Sequence, residues 1–549
     1  MPVEESLCTL SYARGVSRPL LELTIGDLLD RTAERFPDRL AVVSCHQGQR
    51  LTWAELSAEA DRVARGLWSL GIRRGDRVGL WSTNCIEWIQ MHMGCARAGA
   101  ALVNVNPAYR SHELQFTLQR SRMKALFLWH KDRHADYEEI LGRARHGLNL
   151  ELEHTIYFDT PQWPALKDAP GELPAHVAVD DVANIQFTSG TTGLPKGVLL
   201  THRNVVNNGQ FLAQGFHYTE RDSIVVPVPL FHCFGCVIGT MSAVNSGAAI
   251  ILPNWTFDAR ATLQAVHDER ATSVYGVPAM YVAELALPDF AGYDLTSLRT
   301  GMMSGAPCPV ELMKRVLYEM NGRERVIAYG QTETSPVVTM SDAEDPIEIR
   351  VKTVGRAMPQ TEIQIVSTAT GDTLPVGEQG EVCVRGYALM KGYDGDPEGT
   401  ELVIRPDGWL RTGDLGIMRG DGCIHLTGRS RDVIIRGGEN IYPREVEEFL
   451  YTHPKVDEVQ VVGIPNARLG EIVVAWVRLR PGLQPGIDAT EEGIREFCQG
   501  QIAYYKIPEH VRFVDSFPAT LSGKIQKYKI REFEIEARGL QSVADAATA

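Results

Sequence analysis

The chain has 549 residues, room for three or four units of roughly 100 to 200 residues each. Hydrophobic residues make up 44% and charged residues 23%, with 50 Gly and 29 Pro, ordinary globular values that exclude a disordered, collagenous or coiled-coil chain. Acidic residues outnumber basic ones by 69 to 55, giving a net charge of -14 with no long block of one sign, which speaks against nucleic acid bound through counterion release.

Met1 to Glu5 carry acids and no apolar stretch, so neither a secretory signal nor a basic transit peptide is expected. From Thr24 to Phe36 a T-x-x-D capping signal precedes Leu28, Leu29, Thr32 and Phe36 at helical spacing, and Leu40 to Ser44 reads as a buried strand. Thr52-x-x-Glu55 opens a second helix with Leu56, Ala60, Val63, Leu67 and Leu70 on one face and Gly71 as its stop. A strand at Arg77 to Trp81, a helix from Ile86 to Ala98 and a strand at Ala101 to Asn106 follow. Such alternation predicts an α/β fold with helix-covered, mostly parallel sheets.

No Asp, Glu, Lys or Arg occurs from Ser223 to Phe257. Pro227, Pro229, His232, Gly235, Gly239 and Pro253 break any spanning helix there, so the segment is expected as a buried strand and pocket wall, with no integral membrane segment. Within it Cys233 and Cys236 form the chain's single C-x-x-C; with no second pair and with Phe and His around them, an apolar lining is expected instead of zinc. The ten cysteines are scattered without a disulfide framework, which suits a reducing cytoplasm. The alternation continues to about residue 380. Short antiparallel strands with turns follow to about 428, then a compact α+β unit with helices at Pro443 to Leu450 and Glu491 to Gln499 and strands at Val459 to Gly463 and Ile472 to Leu479.

The chemistry concentrates in Thr188-Ser189-Gly190-Thr191-Thr192-Gly193-Leu194-Pro195-Lys196-Gly197, directly after the apolar run Ile185 to Phe187. Glycines let backbone N–H groups converge on phosphate oxygens, hydroxyls add donors, and Lys196 adds a point charge. It is not a Walker A loop, since Pro195 stands where that motif has Gly and no Ser or Thr follows the lysine.

With that loop the sequence resembles the acyl-adenylate-forming enzymes, the family of acyl-CoA synthetases, 4-coumarate ligases, luciferases and adenylation domains, and its motifs keep the family order from Thr188 to Lys524. The resemblance implies a large N-terminal domain, 1–431, with a distorted β-barrel subdomain, and a small mobile α+β domain, 432–549. It implies that Ser304-Gly305-Ala306-Pro307 binds adenine. In Tyr329-Gly330-Gln331-Thr332-Glu333 it implies stacking on adenine by Tyr329, α-phosphate binding by Thr332 and a magnesium ligand in Glu333. Asp414, in Trp409 to Asp414, would accept from the ribose hydroxyls. Gly428-Arg429-Ser430-Arg431-Asp432 resembles the hinge, with Arg429 beside the nucleotide and Asp432 the pivot. Lys524, in Leu521 to Ile525, resembles the catalytic lysine, and Gly437 and Gly438 would admit a pantetheine arm.

His232, in Phe231-His232-Cys233-Phe234-Gly235, matches the segment bordering the acyl pocket, and the lack of an acid nearby disfavours an α-amino acid. Val277, Met302, Met303 and Val337 would suit an aliphatic or aryl acid by burial of area. The implied reaction takes ATP, Mg2+ and CoA and turns a small carboxylic acid, most similarly a medium- or long-chain fatty acid, into acyl-CoA. A freestanding ligase loading a carrier protein, an aryl-CoA ligase, a luciferase-like oxygenase and an inactive AMP-binding sensor stand as alternatives, and a homodimer is compatible with the sequence.

Overall fold

The computed structural model describes residues 9–541 apart from 133–134, 149, 174–175, 189–194, 307, 309, 437–438, 467, 500 and 521–522. Among these the chain forms two compact units, one of residues 13–363 and 384–410, the other chiefly of residues 364–383 and from 411 onward.

The first unit holds two seven-stranded sheets. One runs in the order Glu324–Val326, Thr300–Met303, Ser273–Gly276, Ser223–Val225, Ala249–Leu252, Leu40–Ser44, Gln49–Thr52, with every neighbouring pair parallel except the last. The other runs Gly392–Tyr393, Lys196–Thr201, Val182–Thr188, Ala101–Val105, Arg77–Trp81, Ala125–Leu128, His154–Tyr157, with antiparallel pairs only at its first two contacts.

Local chemistry explains the helices. Thr24 and Thr52 each close a reciprocal capping box, with Asp27 and Glu55, at the heads of Ile25–Arg35 and Trp53–Ser69. The expected apolar face is buried at Leu56, Ala60, Val63 and Leu67. Helix Ile86–Ala98 is apolar on nearly every side and accordingly buried on nearly every side. It comes close to Trp53–Ser69 because Gly94 has no side chain: a Cβ there would lie 2.3 Å from Val63 Cγ1. The uncharged stretch folds as strands Ser223–Val225 and Ala249–Leu252, a π-helix at Phe234–Gly239 and helix Thr240–Ser246. Among the described residues no helix is long and apolar enough to cross a membrane.

The second unit holds the greater part of a five-stranded sheet ordered Tyr12–Arg14, Thr361–Val366, Gln379–Gly386, Leu410–Met418, Ile424–Arg429. It also holds a sheet ordered Glu439–Ile441, Ile434–Arg436, Gly470–Leu479, Val456–Asn466, with His510–Phe513 parallel to Gly470–Leu479. Helices Pro443–Leu450, Glu491–Cys498 and Lys527–Ala537 accompany it.

Several bounds differ from the sequence reading, Val456–Asn466 against Val459 to Gly463 among them, antiparallel strands already occur from Ala328 to Ala357, and two further differences have a local cause. The strand from Ala101 ends at Val105, because the Asn106 carbonyl turns aside to accept Trp81 Nε1 at 3.1 Å. Between 380 and 428, where strands and turns were expected, Pro397–Val403 is a helix; Asp396 caps it by accepting the Gly399 N–H at 2.8 Å, and Pro397 stands at its first position.

Candidate active site

In the first unit the strands that flank residues 189–194 pair with each other. Thr188 ends one strand, Lys196 begins the next, and the two are antiparallel partners. Ser189, Gly190, Thr191, Thr192 and Gly193 lie outside the described residues. Around this pair, Lys196 Nζ stands 3.1 Å from the Asp396 carboxylate and 4.6 Å from the centre of the Tyr393 ring. Glu333 Oε1 accepts the Tyr393 hydroxyl at 3.0 Å and the Thr188 hydroxyl at 3.5 Å. Thr188, Lys196 and Glu333, expected together from the motif order, are thus neighbours.

Tyr393 and Asp396 did not emerge from the sequence reading. Their segment is fixed by backbone pairing of Gly392 and Tyr393 with Leu199 and Val198, and by an Asp394 N–H donated to Gly197 O at 2.7 Å. Buried Asp394 holds Arg77 through two bonds of 2.7 and 2.8 Å. On the other side Met390 N donates to Glu333 O at 2.9 Å. Burial, then the Glu333 carboxylate, push the Tyr393 phenol far up, so it remains a proton donor at neutral pH. The Gly399 N–H, then the Lys196 ammonium, hold the Asp396 carboxyl below the usual carboxylate range.

Thr332 lies buried at the head of the turn Thr332–Thr334, its hydroxyl 3.8 Å from Cys233 Sγ. That places the head of the uncharged segment beside it. His232 is oriented by its own loop, since Nδ1 accepts the Phe234 N–H at 3.2 Å and so carries its ring proton on Nε2 when neutral. Burial pushes the Cys233 thiol up to about 12, which leaves it protonated and not a nucleophile. Cys236 faces the amides of Gln186, at 3.3 Å, and Asn104, at 3.7 Å.

The turn at Ser304 and Gly305 and the strand of Tyr329 are also tied together. Ser304 Oγ donates to Ala328 O at 2.6 Å, next to Tyr329, and Gly305 takes a φ of 86° that favours glycine. Ala306 O accepts the Cys308 thiol at 3.5 Å, while Pro307 lies outside the described residues. Gly330 is a steric necessity, for a Cβ there would stand 1.7 Å from Pro336 O. Val277, Met302, Met303 and Val337 are all buried.

In the second unit Asp414 is buried opposite Arg429, and their side chains pair at 2.9 Å. Ser430 Oγ donates to Gly413 O at 3.1 Å, and Asp432 closes the turn Ser430–Asp432 that follows. Gly437 and Gly438 lie outside the described residues, between the paired Arg436 and Glu439. Lys524 is exposed and its carbonyl accepts the Thr520 N–H at 2.8 Å, with Gly523 before it at a φ of 78°.

The described residues include no group of three or more His, Cys, Asp or Glu suited to a metal. One carboxylate with a hydroxyl beside it, Glu333 with Thr188, is still a donor set that fits magnesium, which keeps several waters and is shared with substrate phosphates.

A family model described as AMP-binding enzyme matches residues 29–394, and one described as AMP-binding enzyme C-terminal domain matches residues 445–524. The sequence is 44% identical over 549 residues, 95% of this chain and 99% of the relative, to YngI of Bacillus subtilis (strain 168), provisionally named an acyl-CoA synthetase. It is 41% identical over 553 residues, 95% of this chain and 89% of the relative, to the mitochondrial medium-chain acyl-CoA ligase ACSF2 of Bos taurus. Among solved structures, ATP-bound MatB from Rhodopseudomonas palustris matches with a TM-score of 0.83 at 30% identity, covering 93% of this chain and 99% of that one.

Proposed function

The chain belongs to the AMP-binding enzyme family and is an ATP-dependent acid–thiol ligase, and from that premise we propose that its acid is a medium-length or longer fatty acid. The enzyme activates a carboxylic acid to an acyl-adenylate with release of pyrophosphate, then transfers the acyl group to CoA, giving acyl-CoA and AMP.

One observation carries the fatty-acid reading. The uncharged segment Ser223 to Phe257 meets Thr332 through Cys233, and its π-helix Phe234–Gly239 is buried throughout. A wall with no cation or anion beside the proposed α-phosphate contact suits an aliphatic chain and offers no partner to an ammonium or a second carboxylate. The name of ACSF2 supports the same reading.

In the first step an acid oxygen bonds to the α-phosphorus while the bond to the bridging oxygen of pyrophosphate breaks. The carboxylate is already ionised at neutral pH, so positioning and charge neutralisation supply the acceleration. We assign Tyr329 with the Ser304 to Pro307 turn to adenine and Asp414, with Arg429 beside it, to ribose. Thr332 takes the α-phosphate, and the Thr188 to Gly193 loop with Lys196 the departing phosphates. Glu333 and Thr188 would hold Mg2+, which when bound neutralises phosphate charge. Lys524 offsets charge at the α-phosphate during adenylation. His232 borders the acyl carboxyl.

In the second step the thiolate attacks the acyl carbon and AMP departs. We place the domain boundary between residues 431 and 432, with rotation at Asp432 bringing Gly437 and Gly438 to the pantetheine arm. Nine cysteines are free thiols among the described residues, which supports a reducing compartment such as the cytoplasm.

The test is pyrophosphate release from ATP across straight-chain acids of increasing length, aryl acids and dicarboxylates, with acyl-CoA read by mass spectrometry. The fatty-acid reading expects kcat/KM to rise with chain length into the medium range. Preference for an aryl acid or a dicarboxylate contradicts it, as does an adenylate that reaches a thioester only when a carrier protein is added.

A further inference from the structure

The strands Ser273–Gly276, Thr300–Met303 and Glu324–Val326 run parallel and adjacent, with Val274 opposite Gly301 and Gly301 opposite Arg325. Arg325 is fully buried, and among the described residues no carboxylate pairs with it within 4 Å, though the buried Glu284 carboxyl lies near enough to feel its charge. Burying a guanidinium that way is costly, and only Nη1 is used, in the service of the sheet, while Nε and Nη2 are buried without a hydrogen bond among the described residues. The side chain crosses the middle strand, and Nη1 donates to Val274 O at 2.7 Å and to the Tyr281 hydroxyl at 2.7 Å. Tyr281, also fully buried, directs that hydroxyl at Val274 O, 3.0 Å away, and Met302 O, 2.9 Å away. Its ring centre lies 5.1 Å from the guanidinium carbon.

Three glycines make the room. A Cβ at Gly301 would stand 2.4 Å from Arg325 Nη1, one at Gly322 2.5 Å from Nη2, and one at Gly276 2.9 Å from the Tyr281 ring. Two of these bare positions border the arginine and the third borders Tyr281, and at Gly301 the Val274 carbonyl is nearer still, at 2.1 Å.

Two of the cross-tied strands continue within a few residues into the proposed nucleotide cradle, Met302 toward Ser304 and Gly305 and Arg325 toward Ala328 and Tyr329, while the third runs from Val274 to Val277, whose Cγ1 would lie 3.2 Å from a Cβ at Gly305. We infer that Arg325, together with Tyr281, is a positioning strut that sets the register of the three strands and thereby the spacing between the Ser304–Gly305 turn and Tyr329. The inference rests on the assignment of that turn and Tyr329 to adenine. Neither strut residue touches the nucleotide; both act through the backbone that does.

The experiment compares Tyr281→Phe, Arg325→Met and Arg325→Lys with Tyr329→Ala in ATP–pyrophosphate exchange at saturating acid. KM for ATP, kcat and the preference for ATP over GTP are measured on protein of verified folded fraction. Loss of stability alone lowers the active fraction and with it kcat, and leaves the KM of the folded molecules unchanged. Displacement of the cradle instead raises KM for ATP by about tenfold or more and erodes the ATP preference. We expect that pattern in Tyr281→Phe and Arg325→Met, with partial recovery in Arg325→Lys, which keeps one donor for Val274 O. If Arg325→Met does not fold, Tyr281→Phe decides the matter. A raised KM in Tyr329→Ala with an unchanged KM in folded Tyr281→Phe overturns the strut alone. An unchanged KM in Tyr329→Ala overturns the adenine assignment beneath it.

Discussion

Glu333 receives two hydroxyls on one oxygen, from Tyr393 and Thr188, and this geometry separates its role from theirs. Glu333→Ala removes the proposed metal carboxylate, so adenylation at limiting Mg2+ should fall by about 10² or more. Tyr393→Phe removes one hydrogen bond to a charged acceptor, worth about 1.5 to 3 kcal/mol, and should cost about ten- to a hundredfold at limiting Mg2+, with most of the activity returning at high Mg2+. Wild-type magnesium dependence in Glu333→Ala would remove it from the metal site. The two residues also differ in how legible they were. Glu333 announces itself through an ordered motif, whereas Tyr393 reaches the site by pairing a two-residue strand with one nearly two hundred positions earlier, and no local pattern encodes that pairing.

A second residue-scale expectation concerns Glu284, fully buried, whose carboxyl is raised by burial to about 8 although the Arg325 charge opposes the rise. The folded chain then holds a proton that the unfolded chain has lost. Stability from this group is complete below the ordinary glutamate value of 4.5 and declines as pH rises toward 8, by about 1.4 kcal/mol per pH unit. Thermal melts of Glu284→Gln across pH 5 to 8 should therefore show a flatter decline than the parent. An unchanged slope would mean that the carboxyl is ionised in the fold.

Helix boundaries were the most legible elements, because a capping box is written within four residues: Thr24 with Asp27, Thr52 with Glu55. The helix Pro397–Val403 carried the same kind of signal, an Asp followed by Pro, yet the surrounding Gly and Asp masked it as a turn. Helix His202–Gly215 makes an element-scale prediction. His202 is buried at its first position, and Nδ1 accepts the Ile25 N–H at 3.2 Å, so two helices meet at a neutral imidazole. Burial lowers its pKa to about 4, and His92 is lowered to about 4 by burial and then by His202. For such groups stability is complete above the unfolded value of 6.5 and is lost as pH falls toward 4, by about 1.4 kcal/mol per pH unit for each histidine. His202→Asn, which keeps an acceptor for Ile25, should melt with a shallower loss between pH 6 and 4.5. Equal slopes would show that acid unfolding begins elsewhere.

At the scale of the whole molecule, fold class and reaction followed from the order of motifs from Thr188 to Lys524, but the sheet order did not. Leu40–Ser44 pairs with Ala249–Leu252 across some two hundred residues, and alternation of helix and strand is silent on which strands become neighbours. The proposed division of labour between residues 1–431 and 432–549 yields paired expectations. Lys524→Ala should lose adenylation by about 10² to 10³ and still convert supplied acyl-adenylate and CoA to thioester. Asp432→Pro, which restricts the backbone at the proposed pivot, should do the reverse. Equal damage to both half-reactions in both variants, with stability intact, would refute domain alternation.

The central claim is that one enzyme makes an acyl-adenylate and then hands the acyl group to CoA, and a single-turnover quench tests it most directly. Enzyme in excess over radiolabelled ATP and a medium-chain fatty acid, without CoA, should accumulate enzyme-bound acyl-adenylate and one equivalent of pyrophosphate. Addition of CoA should then convert that label to AMP while acyl-CoA appears at the same rate. Formation of ADP, or of acyl-CoA with no acyl-adenylate preceding it, would contradict the account.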